Sequence, residues 1–239
     1  WLANSGGDFY NGVATQSLRF DDGSSAYLHR TPDSASNQKT WTWSGWVKRG
    51  NLGATQEIFS ADTSGTTFTD LRFADDIFVF ISYADGYVIN MQTDRLFRDT
   101  SAWYHLVVAI DTTQGTDTNR VKIYVNGVQE TSFATETYPA INTDTYINRA
   151  IPHDIGRKIT TSYLDAYLSE VNFIDGLALA PSSFGETKNG VWIPIDTSGL
   201  TFGTNGFRLK FDQVGVGTAS STTIGADTSG NTNHWTSSG

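Results

Sequence analysis

Residues 41–48 read Trp-Thr-Trp-Ser-Gly-Trp-Val-Lys, an alternation that puts Trp41, Trp43, Gly45 and Val47 on one face of an extended strand and Thr42, Ser44, Trp46 and Lys48 on the other. The first face is the core face. Trp46, on the second, is either a cover for that face or part of a recognition surface. Val121, Ile123 and Val125 repeat the period before Asn126-Gly127, the strongest hairpin signal in the chain. Ile77–Ile81 and Trp103–Ile110 are apolar on both faces, as central strands covered on each side would be. Thr67 to Thr93 reads as a three-strand meander broken at Ala74-Asp75-Asp76 and Ala84-Asp85-Gly86. Residues 17–29 read as a hairpin turning at Asp22-Gly23, 165–174 as a strand closed by Asp175-Gly176, and Phe207–Phe211 as a last strand with Phe207, Leu209 and Phe211 on one side. Pro181 predicts a short helical turn. The fold class is therefore all-β, an antiparallel sandwich with at most one or two short helical turns.

The chain has 239 residues, with 23 Gly and 5 Pro, a composition suited to many short strands joined by tight turns. One domain over 1–239 is expected, its core at about 15–185 and residues 186–239 forming a C-terminal strand and extended strip packed on it. With no Cys, neither disulfides nor thiolate metal sites contribute, and stability rests on packing. A net charge of −9 with 16 Lys and Arg argues against nucleic acid and against an anionic membrane, both of which need a basic face. No apolar run reaches the ~18–20 residues of a membrane span, so no membrane insertion is expected. Trp1 opens a polar segment without a signal-peptide pattern, and the missing initiator Met suggests a trimmed N-terminus.

In order, WTWSGWVK (41–48), WYHLVVAID (103–111), VKIYVNGVQE (121–130), IGR (155–157) and YLSEVNFIDGLALAPSSF (167–184) resemble the strand set of the laminin-G-like, concanavalin A-like superfamily over roughly residues 15–185. That resemblance implies a jelly-roll sandwich and a recognition function more often than a catalytic one. A narrower resemblance rests on SLRFDDGSSAYLHRTP (17–32), WTWSGWVKRG (41–50), FGETKNGVWIP (184–194), NGFRLKFD (205–212) and DTSGNTNHW (227–235). These segments are similar to lectin-like structural proteins of marine tailed bacteriophages, found in fibres, tails or head decorations. It implies a surface-exposed virion component, with other virion proteins and host cell-surface glycans as partners and a homo-oligomer, with a trimer as the guess. A free carbohydrate-binding lectin is the alternative, and a glycoside hydrolase a more distant one.

Glucanases on this fold resemble one another in placing three acids on a single strand. Here the Glu residues are 57, 130, 136, 170 and 186, and the matching strand, Glu170-Val171-Asn172-Phe173-Ile174-Asp175, lacks the central acid and the closing Glu. A retaining pair needs carboxyls about 5–5.5 Å apart, so that strand is not read as catalytic. The four His (29, 105, 153, 234) have no zinc-site spacing; His105 reads as a hydrogen-bonded core residue, whereas His153, in the loop 142–158 beside Asp154, is a candidate ligand contact. Sugar binding needs an exposed aromatic and nearby polar groups, for which the candidates are Tyr83, Asp85 and Tyr87, then Tyr138, Asn142, Asp144 and Tyr146, with His153 and Trp192. No cofactor is required. Calcium, if bound, would be held by Asp75, Asp76, Asp111, Asp117 or Asp227 among the 20 Asp, although Asx-turn hydrogen bonding is the leading explanation for aspartates at turns.

Overall fold

The computed structural model describes residues 11–239, so Trp1 and the segment behind it lie outside the described residues. The strands are β1 (Leu18–Phe20), β2 (Tyr27–Arg30), β3 (Thr40–Arg49), β4 (Gln56–Ser64), β5 (Thr67–Ala74), β6 (Ile77–Ala84), β7 (Tyr87–Leu96), β8 (Tyr104–Asp111) and β9 (Val121–Val125). They continue as β10 (Val128–Gln129), β11 (Phe133–Thr137), β12 (His153–Ile155), β13 (Ala166–Asp175), β14 (Gly185–Lys188), β15 (Val191–Pro194), β16 (Phe207–Leu209) and β17 (Thr236–Ser238). A first sheet has the order β1-β13-β3-β8-β9-β10, with β16 also on β13; a second runs β11-β7-β6-β5-β4-β12-β2-β17; β14 and β15 form a separate hairpin. All these strand pairings are antiparallel. Helix is confined, among the described residues, to three 3₁₀ turns, of which Pro181–Ser183 stands where Pro181 placed it.

The core lies between the two sheets. Trp41, Trp43 and Val47 of β3 meet Phe78 and Phe80 of β6 and Leu106, Val108 and Ile110 of β8, all essentially without exposure. The alternation read from the sequence thus separates the two faces of β3: Trp41, Trp43 and Val47 enter the core, while Thr42, Ser44 and Trp46 point the other way and are buried under the segments that cover the outer face. β6 is central to the meander β5–β7, and its other face is buried too: Val79 and Ile81 form a small cluster with Phe68 of β5, against which the Tyr83 ring packs. Asn126 and Gly127 turn with φ of +49° and +80°, the left-handed pair that a tight hairpin needs.

Two expectations of strand placement change. Residues 17–29 are not a hairpin: β1 pairs with β13 in the first sheet and β2 with β12 and β17 in the second, because Phe20 and Leu28 both bury between the sheets and a 3₁₀ turn capped by the Asp21 carboxylate carries the chain across the edge. The strand expected at 155–157 is β12, two residues earlier. It stops where Gly156 adopts φ +91° with Phe20 where its Cβ would stand. β4 and β11 carried no clear period; β4 holds Ile58 and Phe59 together in the core because a bulge between Glu57 and Phe59 breaks the alternation.

The C-terminal strip is structural. Trp235 is buried against Phe207 and Phe59, with ring centroids 5.0 and 6.4 Å away, and Phe207, Leu209 and Phe211 all enter the main core. A second, smaller core forms on the outer face of the first sheet, where Phe184 and Phe202 pack on Val107 and Ile174. The segment after β13 therefore folds back over that face and lays the β14–β15 hairpin on it.

Candidate functional site

On β8, His105 alternates with the core residues Leu106 and Val108, so its ring emerges on the outer face of the first sheet, directly across from Trp46 of β3. The Trp46 indole stacks on the imidazole with centroids 4.8 Å apart and planes at 26°, and Trp192 of β15 lies near-parallel to it at 6.0 Å and 28°. Trp192 Nε1 donates to His105 Nδ1 at 3.0 Å, which assigns the ring proton to Nε2, and that nitrogen donates to Ser44 Oγ at 2.9 Å. Burial holds the imidazole neutral, its pKa pushed down to about 3. The Trp192 ring is cradled by two glycines: a Cβ on Gly127 or on Gly185 would stand 2.6 Å from it.

Above this stack opens a pocket of about 390 Å³. Trp46, Trp103 and Trp192 wall it together with Ile193 and Pro194, and Asn11, Gln16 and Ser169 supply polar groups at its edge. Trp103 is 37% exposed, and the Asn11 amide donates to the Pro194 carbonyl while Ser169 Oγ donates to the Gln16 carbonyl at 2.6 Å. The sequence marked Trp192 and left Trp46 ambiguous between cover and surface; it is both, nearly buried yet lining the pocket. Trp103 read only as the start of a strand. Asn11, Gln16 and Ser169 gave no signal, because nothing local says that β1 and β13 bring them beside a hairpin that lies far along the chain.

The other aromatic candidates lie elsewhere. Tyr83 stacks on Phe68 (5.5 Å) over the outer face of the second sheet, with Tyr87 edge-on to it at 5.2 Å and Asp85 in the left-handed turn between them. Tyr87 is exposed, whereas Tyr138 and Tyr146 pack partly into the core. The Tyr138 hydroxyl donates to Glu136 and Arg149 stacks over Tyr146 at 4.1 Å. Asn142 takes a left-handed turn and Asp144 pairs with Lys39 at 2.9 Å. His153 is not in a loop. It is buried in β12, its Nδ1 bonding the Ile151 carbonyl and its Nε2 accepting from the Asn148 amide, because the strand pairs on both sides with β2 and β4.

The five aspartates considered for calcium do not gather. Asp76 accepts from Gly53 N, Arg49 and Arg98 at 2.7, 2.9 and 3.1 Å, and the Gly53 amide followed by the two guanidiniums holds it below the usual range, while Asp75 occupies the left-handed turn beside it. Burial opposes ionisation of Asp111, but bonds from Thr113 and Gln114 outweigh it. Asp117 accepts from Thr118 N, and Asp227 accepts four donors, from Arg208 N, Ser229 N and Oγ, and Asn233 N. Among the described residues no three His, Asp or Glu side chains converge as a metal ion would need.

The acids most shielded from water are Glu57 and Asp70 on the outer face of the second sheet. Burial pushes both upward, Glu57 furthest, with the Asp70 charge adding; Arg72 approaches them at 3.5 and 3.2 Å, and Lys158 holds Asp70 at 2.9 Å. Neither is reached by solvent. Glu170 sits at a bulge of β13 with Arg208 at 3.3 Å, and Asp175 is a buried acceptor for Asn148 and the Asn205 amide.

The two sheets face each other as an antiparallel sandwich, and the family model for the concanavalin A-like lectin/glucanases superfamily matches residues 22–182, more than half of the chain. The chain belongs to that superfamily. No curated protein sequence matches it. Among solved structures it is similar to a SAP-like pentraxin from Limulus polyphemus (16% identity over 69% of this chain and 77% of that one, TM-score 0.48). It is also similar to domain 4 of AbnA, a GH43 extracellular arabinanase from Geobacillus stearothermophilus solved with arabinotriose (20%, 63% and 67%, 0.49). Domains LG4-5 of the mouse laminin α1 chain match at 14% identity over 88% of this chain and 53% of that one, with a TM-score of 0.48. In this superfamily member the β14–β15 hairpin and its Trp192 lie beyond the matched residues, so the pocket is closed by an addition to the part that the family model describes.

Proposed function

We propose that the chain is a non-catalytic saccharide-recognition module that binds in the tryptophan pocket and is displayed on a virion surface as an adhesion element. The observation that carries the binding reading is the Trp46–His105–Trp192 stack opening into a pocket with Trp103 on its wall. Indole faces take the C–H face of a pyranose, and a few amide and hydroxyl groups at the edge fix its hydroxyls. The lectin-like fold agrees with this reading. The non-catalytic part is supported by the acids: the most strongly perturbed carboxyls are shut away from solvent, and no carboxylate lines the described part of the pocket.

Display on a virion is supported by the similarity of residues 17–32, 41–50, 184–194, 205–212 and 227–235 to lectin-like phage structural proteins. The proposed neighbours are other virion proteins, the proposed ligand is a host surface glycan, and a closed homotrimer is the proposed assembly. Titration of intrinsic fluorescence with methyl glycosides tests the site: a saturable change that Trp192→Ala abolishes supports it, and no response to any saccharide removes it. Mass spectrometry of purified particles tests the placement, which fails if the chain is absent from them.

A further inference from the structure

We infer that the tryptophan pocket takes uncharged pyranose residues and rejects glycuronic and sialic acids. This rests on the saccharide-recognition reading and specifies its ligand. Among the described residues, everything that lines the pocket is uncharged: three indoles, Ile193, Pro194, Ala14 and the small polar groups of Asn11, Thr15, Gln16, Ser17 and Ser169. A carboxylate brought here loses its water and gains no cation.

The floor cannot compensate. Both nitrogens of His105 are committed, Nδ1 as acceptor from Trp192 and Nε2 as donor to Ser44, so turning the ring proton toward a ligand breaks the bond to Ser44, and moving it to Nδ1 breaks the bond that holds the Trp192 indole in place. Trp192 Nε1 is spent in the same bond, leaving that indole only its face to offer. Two cations stand nearby on the outer face of the first sheet, Arg19, two residues beyond the lining Ser17, and Lys48, two residues beyond the lining Trp46 on β3, and neither lines the pocket. The Arg19 guanidinium is paired with Asp165 and lies over the Tyr167 ring at 5.3 Å, which leaves it engaged with groups other than the pocket, and the Lys48 charge acts on Asp99. The surrounding field also repels an anion, since the chain carries a net charge of −9. A neutral sugar meets none of these costs, and the volume of about 390 Å³ is within the range of small-ligand sites.

The test compares ligands of one shape and two charges, methyl β-D-glucuronide and its methyl ester, by tryptophan fluorescence and saturation-transfer NMR, alongside methyl β-glucoside, methyl β-galactoside and methyl α-sialoside. The ester and at least one neutral glycoside are expected to bind at least ten-fold more tightly than the two acids. The exposed substitution Gln16→Arg, which adds a cation at the rim, is expected to narrow the gap between acid and ester by several-fold. Equal or tighter binding of the free acid to the unaltered protein overturns the inference while leaving saccharide recognition standing. No binding of any of the five ligands overturns the recognition reading itself, and the inference with it.

Discussion

His105→Gln isolates the acid-sensitivity built into the floor of the pocket. Folded, the imidazole has its pKa pushed down to about 3 by burial, whereas in the unfolded chain it titrates near 6.5. Below about 6.5 the unfolded state takes up a proton that the folded state refuses, so this group's contribution is complete above that pH and is lost as pH falls toward the folded value. Each pH unit in the window costs about 1.4 kcal/mol, which makes the loss between pH 7.5 and 5 about 2 kcal/mol. Gln retains a donor and an acceptor but no titrating proton. Urea unfolding of both proteins at the two pH values, followed by far-UV circular dichroism, gives the difference directly. His153 and the buried carboxyls Glu57, Asp62, Asp70 and Glu170 titrate in both and cancel. The stability of the unsubstituted protein relative to His105→Gln is expected to fall by about 2 kcal/mol on acidification. A difference that stays constant, or that moves the other way, would refute a buried neutral imidazole at this position.

Gly185→Ala places a methyl group where the Trp192 ring now lies, 2.6 Å away, so titration should show ligand affinity falling at least ten-fold while unfolding experiments show a loss of about 1–3 kcal/mol. Trp235→Ala empties a site that is 1% exposed between Phe59 and Phe207, and a loss of about 3–5 kcal/mol in urea unfolding is expected, although the residue lies far beyond the segment matched by the family model. Ile159 holds φ at +53° with a β-branched side chain that is 40% exposed; Ile159→Gly should raise stability by about 1 kcal/mol, and a decrease in the urea midpoint would count against strain there. Because the carboxylates of Asp76, Asp111, Asp117 and Asp227 are occupied by protein donors, EDTA should leave both the melting temperature and ligand binding unchanged, as read by calorimetry and fluorescence.

Alternation alone determined which side of β3 and β9 faces the core, since a strand has only two faces and the core-facing one must be apolar, whereas β6 and β8, apolar on both faces, were legible only as central strands. Asn126-Gly127 fixed its turn for an equally local reason, the left-handed backbone that this pair tolerates. Where burial did not follow a period, the sequence was silent or misleading. The bulge in β4 hid a core strand, and Asp22-Gly23 suggested a hairpin where the chain instead crosses between sheets. His153 looked like a loop residue because its two strand partners, at Arg30 and Ala61, are distant in sequence. The pocket shows the same division. Trp46, Trp103 and Trp192 were visible as large aromatic side chains, but only the return of the chain over the first sheet sets Trp192 against His105 and both glycines. Local geometry can be written in neighbouring residues; a site assembled from strands 46, 105 and 192 residues along the chain depends on which faces remain uncovered once the core has formed, and that is decided by the packing of the whole.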